Sequence, residues 1–255
     1  MEAARVCAQR GHAVTLHDRA PRLGGMLSLA GKLPGRAGWR TFIEQAERRL
    51  DAAGVDVKLN SEVDATGLTW SGADAIVLAT GSRFMPPDPG YNRASVPTLT
   101  PSELLDAATV PTGHVVVSGA GAIGLGVAAW LAERGVEVTV TSPDREIVDP
   151  EGQGGLVPRL VATGRVRLEG DTEVGELGDR HVTLVRSGAI GPLFARPVTG
   201  VSAVVEAGSR EPRRELSVDT RNALAGTPVH LIGDCLAPRS ALEAVYEGAA
   251  VARRI

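Results

Sequence analysis

Lysine, cysteine and aromatic residues are all scarce in this 255-residue chain. Lys32 and Lys58 are the only lysines among 27 basic residues, and 30 acidic residues leave a net charge of −3. Arginine therefore carries nearly all of the positive charge, and no basic stripe exists to grip a phosphate backbone, which argues against nucleic-acid binding. Two cysteines, Cys7 and Cys235, neither frame a disulfide scaffold nor hold an iron–sulfur cluster by themselves, so any such cluster is expected outside the chain. No apolar run approaches the roughly 20 residues that span a bilayer. Arg5, Arg10, Asp18 and Arg19 occupy the stretch where a signal-peptide core would sit, so no membrane contact and a cytoplasmic location are expected. Aromatics make up 3% of the residues whereas there are 31 glycines, so backbone turns carry more of the fold than ring packing does.

What the chain does have is a glycine-rich strand-to-helix turn. In VVVSGAGAIGLGVAAWLAERGVEVTVTS, residues 115–142, a β-branched run enters Gly119, Gly121 and Gly124, and an amphipathic helix of about ten residues is expected to follow. Gly135 ends that helix before a second strand, Val136 to Val140. The spacing G-x-G-x-x-G inside such a βαβ unit serves a tight turn, close approach of a pyrophosphate, and tight helix–strand packing. Free N–H groups at the helix start then hold the phosphates.

The beginning of the chain copies this unit. With an offset of 124, Ala4 falls on Ala128, Arg10 on Arg134, Gly11 on Gly135, Val14 on Val138, Thr15 on Thr139 and Asp18 on Ser142. The same offset places Gly124 immediately before Met1, so the first strand and glycine loop of the first copy are expected to be missing and the chain to start mid-motif. A second self-match joins DAIVLATGSR (74–83) to SAVVEAGSR (202–210), two apolar strands that run into Gly-Ser-Arg. The expected architecture is α/β with two Rossmann-like dinucleotide-binding domains: an FAD-type domain from 1–85 and 201–255, and an inserted NAD(P)-type domain from 86–200. Pro86, Pro87, Pro89 and Gly90 mark one crossing as a linker.

Asp18 ends the second strand of the first copy, where a carboxylate accepts hydrogen bonds from an adenosine ribose. Gly24 and Gly25 follow, letting the chain pass close to a nucleotide, with Arg22 in reach of a phosphate. Near the end, a strand at 229–232 delivers Gly233-Asp234, whose carboxylate suits a flavin polyol chain, and a helix from about Ser240 to Arg254 presents its start, Ala241 and Leu242, to negative charge on a flavin ring. In the second copy the strand ends on Thr141 and Ser142 with Arg145 close behind rather than on an acid, which favours NADP over NAD. Cys7 and Cys235 read as packing residues, and the five histidines show no ligand spacing. Trp39 and Phe42 are expected in the core or at a domain contact, and Arg210 to Glu215 as a solvated loop.

EAARVCAQRGHAVTLHDRAPRLGG, PGRAGWRTFIEQAERRLDAAGVDVKLNSEV, the Ala79-Thr80-Gly81 triplet and GDCLAPRSALEAVYEG together resemble the flavin and nucleotide portion of the old yellow enzyme-like oxidoreductases. This is the family of 2,4-dienoyl-CoA reductase and trimethylamine dehydrogenase. The resemblance implies FAD contacts at Asp18, Arg22, Gly24, Gly25, Val63, Thr80, Gly81, Gly233 and Asp234. It further implies that the module passes hydride from NAD(P)H to flavin, and that its partner is a barrel domain or subunit carrying FMN and a 4Fe-4S cluster. No side chain stands out as a nucleophile or general acid. The alternative is a non-catalytic, ADP-type structural module docked on such a barrel.

Overall fold

The computed structural model describes residues 1–85, 96–107, 109–148, 155–188, 195–217 and 226–255, with the backbone alone at 69 and 70. The proline-rich linker at 86–90 lies outside them. The chain opens with α1 (Glu2–Gln9), β1 (Thr15–His17), α2 (Met26–Ala30), α3 (Gly38–Ala52), β2 (Asp56–Lys58), α4 (Ala65–Trp70), β3 (Ile76–Leu78) and β4 (Ser82–Phe84). Next come β5 (Thr98–Leu99), α5 (Pro101–Asp106), β6 (His114–Ser118), α6 (Ala122–Ala132), β7 (Glu137–Thr141), α7 (Leu156–Ala162) and β8 (Val166–Glu169). After them run β9 (Thr172–Gly178), β10 (His181–Arg186), β11 (Ala195–Thr199), β12 (Val201–Glu206), β13 (Arg210–Pro212), β14 (Val229–Leu231) and α8 (Ala241–Ala252).

Two compact units result, one from Met1–Gly31, Arg36–Arg83 and Arg210–Ile255, the other from Lys32–Gly35 and Phe84–Ser209. The return crossing therefore lies at Ser209–Arg210 rather than at 200, because β12 is needed in the sheet of the second unit. There it lies between β5 and β6, in the strand order β5-β12-β6-β7-β8, and all four pairings are parallel. Parallel sheets bury both faces and so read as unbroken apolar runs, as Val115, Val116 and Val117 do here at 0% exposure. Val115, Val117, Val138, Val140, Ala203 and Val205 pack on the side of α6, while Val116, Val201 and Val204 pack on Val174, Leu177, Val182 and Leu184 from β9 and β10. Strands β9, β10 and β11 form an antiparallel sheet of their own.

Helix α6 is not amphipathic. Eight of its residues are buried, Leu125, Val127, Ala128 and Leu131 fully, as befits a helix that is apolar all round. Its Gly126 lets Leu33 in, since a Cβ there would meet Leu33 Cδ1 at 2.7 Å.

In the first unit β1 pairs with β2 and β3 with β14, both in parallel, and β4 pairs with β13. Ala3, Val6 and Cys7 of α1 share a core with Ile232, Ala249 and Ala252, and Leu23, Leu50 and Val55 form a second. The sequence repeat is visible as geometry: α1 and α6 both end on a glycine of positive φ, Gly11 at 97° and Gly135 at 82°. In both, the glycine N–H and the N–H after it return to carbonyls of the last turn: Gly11 to Ala8 and His12 to Cys7, Gly135 to Ala132 and Val136 to Leu131. Among the described residues no helix is long and apolar enough to cross a membrane. Trp39 and Phe42 are not core residues; they stack edge-on at 5.9 Å on α3, with Phe42 on the surface.

Candidate functional site

In the second unit the glycine turn separates into positions with different steric jobs. Gly119 leaves β6 with φ +105°, and its N–H donates to the Thr141 carbonyl at 2.9 Å. A Cβ on Gly119 would lie under 3.0 Å from the Gly208 Cα, and one on Gly124 under 3.0 Å from the Gly119 carbonyl oxygen. Both are backbone collisions that no side-chain rotation relieves. Gly121 is the opposite case: it caps α6 at φ −71° and ψ −179°, a conformation open to any residue, and among the described residues nothing lies within 4 Å of its missing Cβ. Packing does not require glycine there, which leaves close approach of a ligand as the steric reason. The N-terminus of α6 carries no side-chain cap, whereas α5 and α8 are sealed by capping boxes, Thr100 with Glu103 and Ser240 with Glu243. Open space and bare N–H groups at a helix start together suit a diphosphate.

At the end of β7, Ser142 is 4% exposed and its hydroxyl accepts from the Asp144 N–H at 3.2 Å. Its own N–H donates to the Glu169 carbonyl and its carbonyl accepts from the Thr172 N–H. Ser142 therefore shapes the turn, and Arg145, three residues on, is exposed.

In the first unit Asp18 ends β1 as expected. Its Oδ1 accepts from the Ala20 N–H at 2.9 Å, closing a turn that aims the chain towards Gly24 and Gly25. Among the described residues nothing lies within 4 Å of a Cβ on Gly25 (φ +50°) or Gly81 (φ +76°), but Gly24 is packed against Ser28 and Ile43. Arg22 is exposed, with no ion pair among the described residues. Val63 is half-buried immediately before Asp64, the N-cap of α4. Thr80 donates its hydroxyl to the Arg213 carbonyl at 2.6 Å, and the Gly81 carbonyl accepts from the Arg213 N–H at 2.9 Å.

Asp234 is not a free carboxylate. Arg210 forms an ion pair with its Oδ2, which also accepts from Ser82 Oγ at 2.7 Å, and the Arg239 N–H reaches Oδ1 at 3.1 Å. The paired side chains are only 21% and 15% exposed. A carboxylate offers about four acceptor positions, so three donors leave one for a hydroxyl of a ligand. The expected solvated loop at 210–215 is instead a strand and a set of anchors. Arg210–Pro212 is β13, Arg214 donates to the Cys235 and Leu236 carbonyls, and Glu211 and Glu215 hold Arg83. The readable signal is the repeat itself, for its two Gly-Ser-Arg ends run into β4 and β13, which pair, with Arg83 on Glu211 and Arg210 on Ser82.

The start of α8 departs from expectation. The Leu242 N–H is taken by Ser240 Oγ at 3.2 Å, and Glu243 brings a carboxylate onto the Ser240 N–H. That terminus is satisfied internally and already carries a negative charge, so Ala241 and Leu242 do not present a bare positive end.

Neither cysteine is poised for thiol chemistry. Burial pushes the Cys7 thiol up, and Cys235 donates from Sγ to the Leu78 and Ile232 carbonyls. No cluster of metal-binding side chains occurs among the described residues.

Comparison with known proteins agrees with this geometry. The chain is similar to the N,N-dimethylglycine/sarcosine dehydrogenase of Chromohalobacter salexigens, 27% identical over 287 residues, which covers 97% of this chain and 41% of that protein. It is similar also to the cinnamate reductase of Clostridium sporogenes, 26% identical over 265 residues, covering 100% of this chain and 37% of the relative. Among solved structures, a 2-naphthoyl-CoA reductase superposes with a TM-score of 0.86 at 27% identity, over 100% of this chain and 38% of that one. The chain thus spans about two-fifths of the length of the relatives it matches. Residues 2–154, which hold the α1–β1 copy and the whole glycine turn, match the pyridine nucleotide-disulphide oxidoreductase family, and the chain belongs to it.

Proposed function

We propose that this chain is the reductase module of a larger flavoenzyme, binding a nicotinamide dinucleotide at the glycine turn of its second unit and FAD on its first. The observation that carries the reading is Gly121: the fold does not need glycine there, and a diphosphate does. Asp18, Gly25 and Gly81 fit the adenosine and diphosphate of FAD by an acid at a strand end and open space over two turns, and Asp234 keeps one acceptor position for the ribityl chain. When bound, the cofactors supply the hydride transfer themselves; the residues named here bind and orient them. Arg145, beside a strand end without an acid, fits the 2′-phosphate of NADP, so NADPH is the preferred reductant. The partner would be a barrel domain or subunit holding FMN and a 4Fe-4S cluster and taking up the electrons; that the chain spans about two-fifths of its relatives' length leaves them room for such a part.

The purified chain is incubated with FAD, desalted, and titrated anaerobically with NADPH and NADH. Retained yellow colour bleached by NADPH supports the reading; a colourless protein that binds nicotinamide nucleotide without turnover supports the non-catalytic alternative. That second reading draws on the ion pair that Arg210 makes with Asp234, which leaves the carboxylate a single acceptor position for a flavin.

A further inference from the structure

Between β8 and β9 the chain turns through Glu169, Gly170, Asp171 and Thr172, and this turn clasps the loop that leaves β7. The Ser142 N–H donates to the Glu169 carbonyl at 3.0 Å, the Asp171 N–H to the Asp144 carbonyl at 3.1 Å, and the Thr172 N–H to the Ser142 carbonyl at 2.8 Å. Since β7 and β8 are in register at Thr141 and Glu169, the clasp carries their ladder past its end. Glu169 also forms an ion pair with Arg196 of β11, and the Ser187 N–H donates to the Asp171 carbonyl at 2.8 Å. The turn is thus fixed independently of the loop it holds.

Glycine does not stand in this turn where backbone conformation asks for it. Asp171 takes the left-handed region at φ +50°, which favours glycine, whereas Gly170 has no positive φ. Space supplies the reason instead. A Cβ on Gly170 would lie under 3.0 Å from the Arg145 carbonyl oxygen and 3.0 Å from that of Asp144. Both are backbone atoms, so no side-chain rotation relieves the collision and the loop itself has to shift. Pro143, Asp144, Arg145 and Glu146 are all exposed, so that shift leaves the sheet closed.

We infer that Gly170 is a positioning residue for coenzyme choice: the room left by its missing side chain seats the carbonyls of Asp144 and Arg145 against the β8–β9 turn and holds Arg145 where it selects a 2′-phosphate. This rests on the proposed role of Arg145 and names what sets it. Gly170 itself touches no ligand; it acts through the loop.

The test is fluorescence titration of the full chain with NADPH and with NADH, for wild type, Gly170→Ala, Arg145→Ala and the double variant, alongside urea unfolding of each. Gly170→Ala is expected to weaken NADPH about tenfold, the equivalent of roughly 1.4 kcal/mol, and to leave NADH within about threefold of wild type. Its urea midpoint stays close to wild type. Added to Arg145→Ala it weakens NADPH no further, because two substitutions that act through one contact are not additive. A glycine needed only for packing would move both coenzymes together. Unchanged NADPH affinity in Gly170→Ala, equal losses for the two coenzymes, an additive loss in the double variant, or a Gly170→Ala chain that no longer folds overturns the inference and leaves the nucleotide site standing. An Arg145→Ala chain that binds NADPH like wild type brings down the proposed role of Arg145 and this inference with it.

Discussion

Gly121 and Gly124 lie three residues apart in one motif, and the structure predicts opposite consequences for the same substitution at each. At Gly121 the backbone already has φ −71° and ψ −179°, and a methyl would enter empty space. Gly121→Ala therefore leaves the fold intact, or stabilises it by about 0.4–1 kcal/mol, because alanine has fewer unfolded conformations to lose. The same methyl stands between an incoming diphosphate and the first N–H groups of α6. Hydrogen bonds to charged groups are worth about 1.5–3 kcal/mol each, so loss of one weakens the dinucleotide by roughly ten- to a hundredfold. At Gly124 a Cβ collides with the Gly119 carbonyl. Opening that turn costs on the order of 3 kcal/mol, so Gly124→Ala lowers stability before any question of binding arises. Urea unfolding monitored by circular dichroism, paired with NADPH titration, separates the two. A Gly121→Ala variant that binds like wild type, or that loses more than about 1 kcal/mol of stability, refutes the reasoning.

Arg210→Ala strips a largely buried carboxylate of its charged partner, and a loss of about 1.5–3 kcal/mol is expected in chemical denaturation, with FAD uptake altered because Asp234 is set free. His114 sits at the start of β6 with Nε2 at 2.9 Å from Thr139 Oγ1, and burial first of all lowers its pKa. Its folded value thus lies below the unfolded one, so stability is full above about pH 6.5 and falls as acid protonates the unfolded chain first; a His114→Gln variant flattens that part of a pH–stability curve measured by thermal melts. Arg145→Ala raises the KM for NADPH about tenfold with NADH nearly unaffected, read by steady-state reduction of a dye; equal effects on both coenzymes reject Arg145 as the 2′-phosphate ligand.

The glycine turn was legible in the sequence because its constraints are local and steric: a left-handed φ at Gly119 and backbone collisions at Gly119 and Gly124 hold wherever a strand enters a helix tightly. The helix ends at Gly11 and Gly135 were legible for the same reason. Asp234 was recognised as important but not as paired, since Arg210 is distant in sequence and reaches it only once β4 and β13 align. The Ser240–Glu243 capping box was present as S-x-x-E, yet a helix start reads alike whether it is open to an anion or closed by its own glutamate. Helix α6 departs from the amphipathic expectation because AIGLGVAAWLA contains no charge at all, a composition that belongs to a helix covered on every side.

The two copies of the helix-and-strand unit differ most where they carry acid. The first has Asp18 directly after its second strand and Leu78 at the end of its exit strand; the second has Ser142 directly after the corresponding strand and Glu206 at the end of its exit strand. A carboxylate at the strand end accepts ribose hydroxyls and repels a 2′-phosphate, so the first copy is suited to an adenosine with a free ribose. In the proposed reading, its absence from the second copy, with Arg145 nearby, opens that end to a 2′-phosphate. The copies share a backbone scheme but are not interchangeable sites, and a swap of Asp18→Ser with Ser142→Asp is expected to weaken both nucleotides rather than exchange them, because Ser142 is buried and hydrogen-bonded within its turn whereas Asp18 is not fully enclosed.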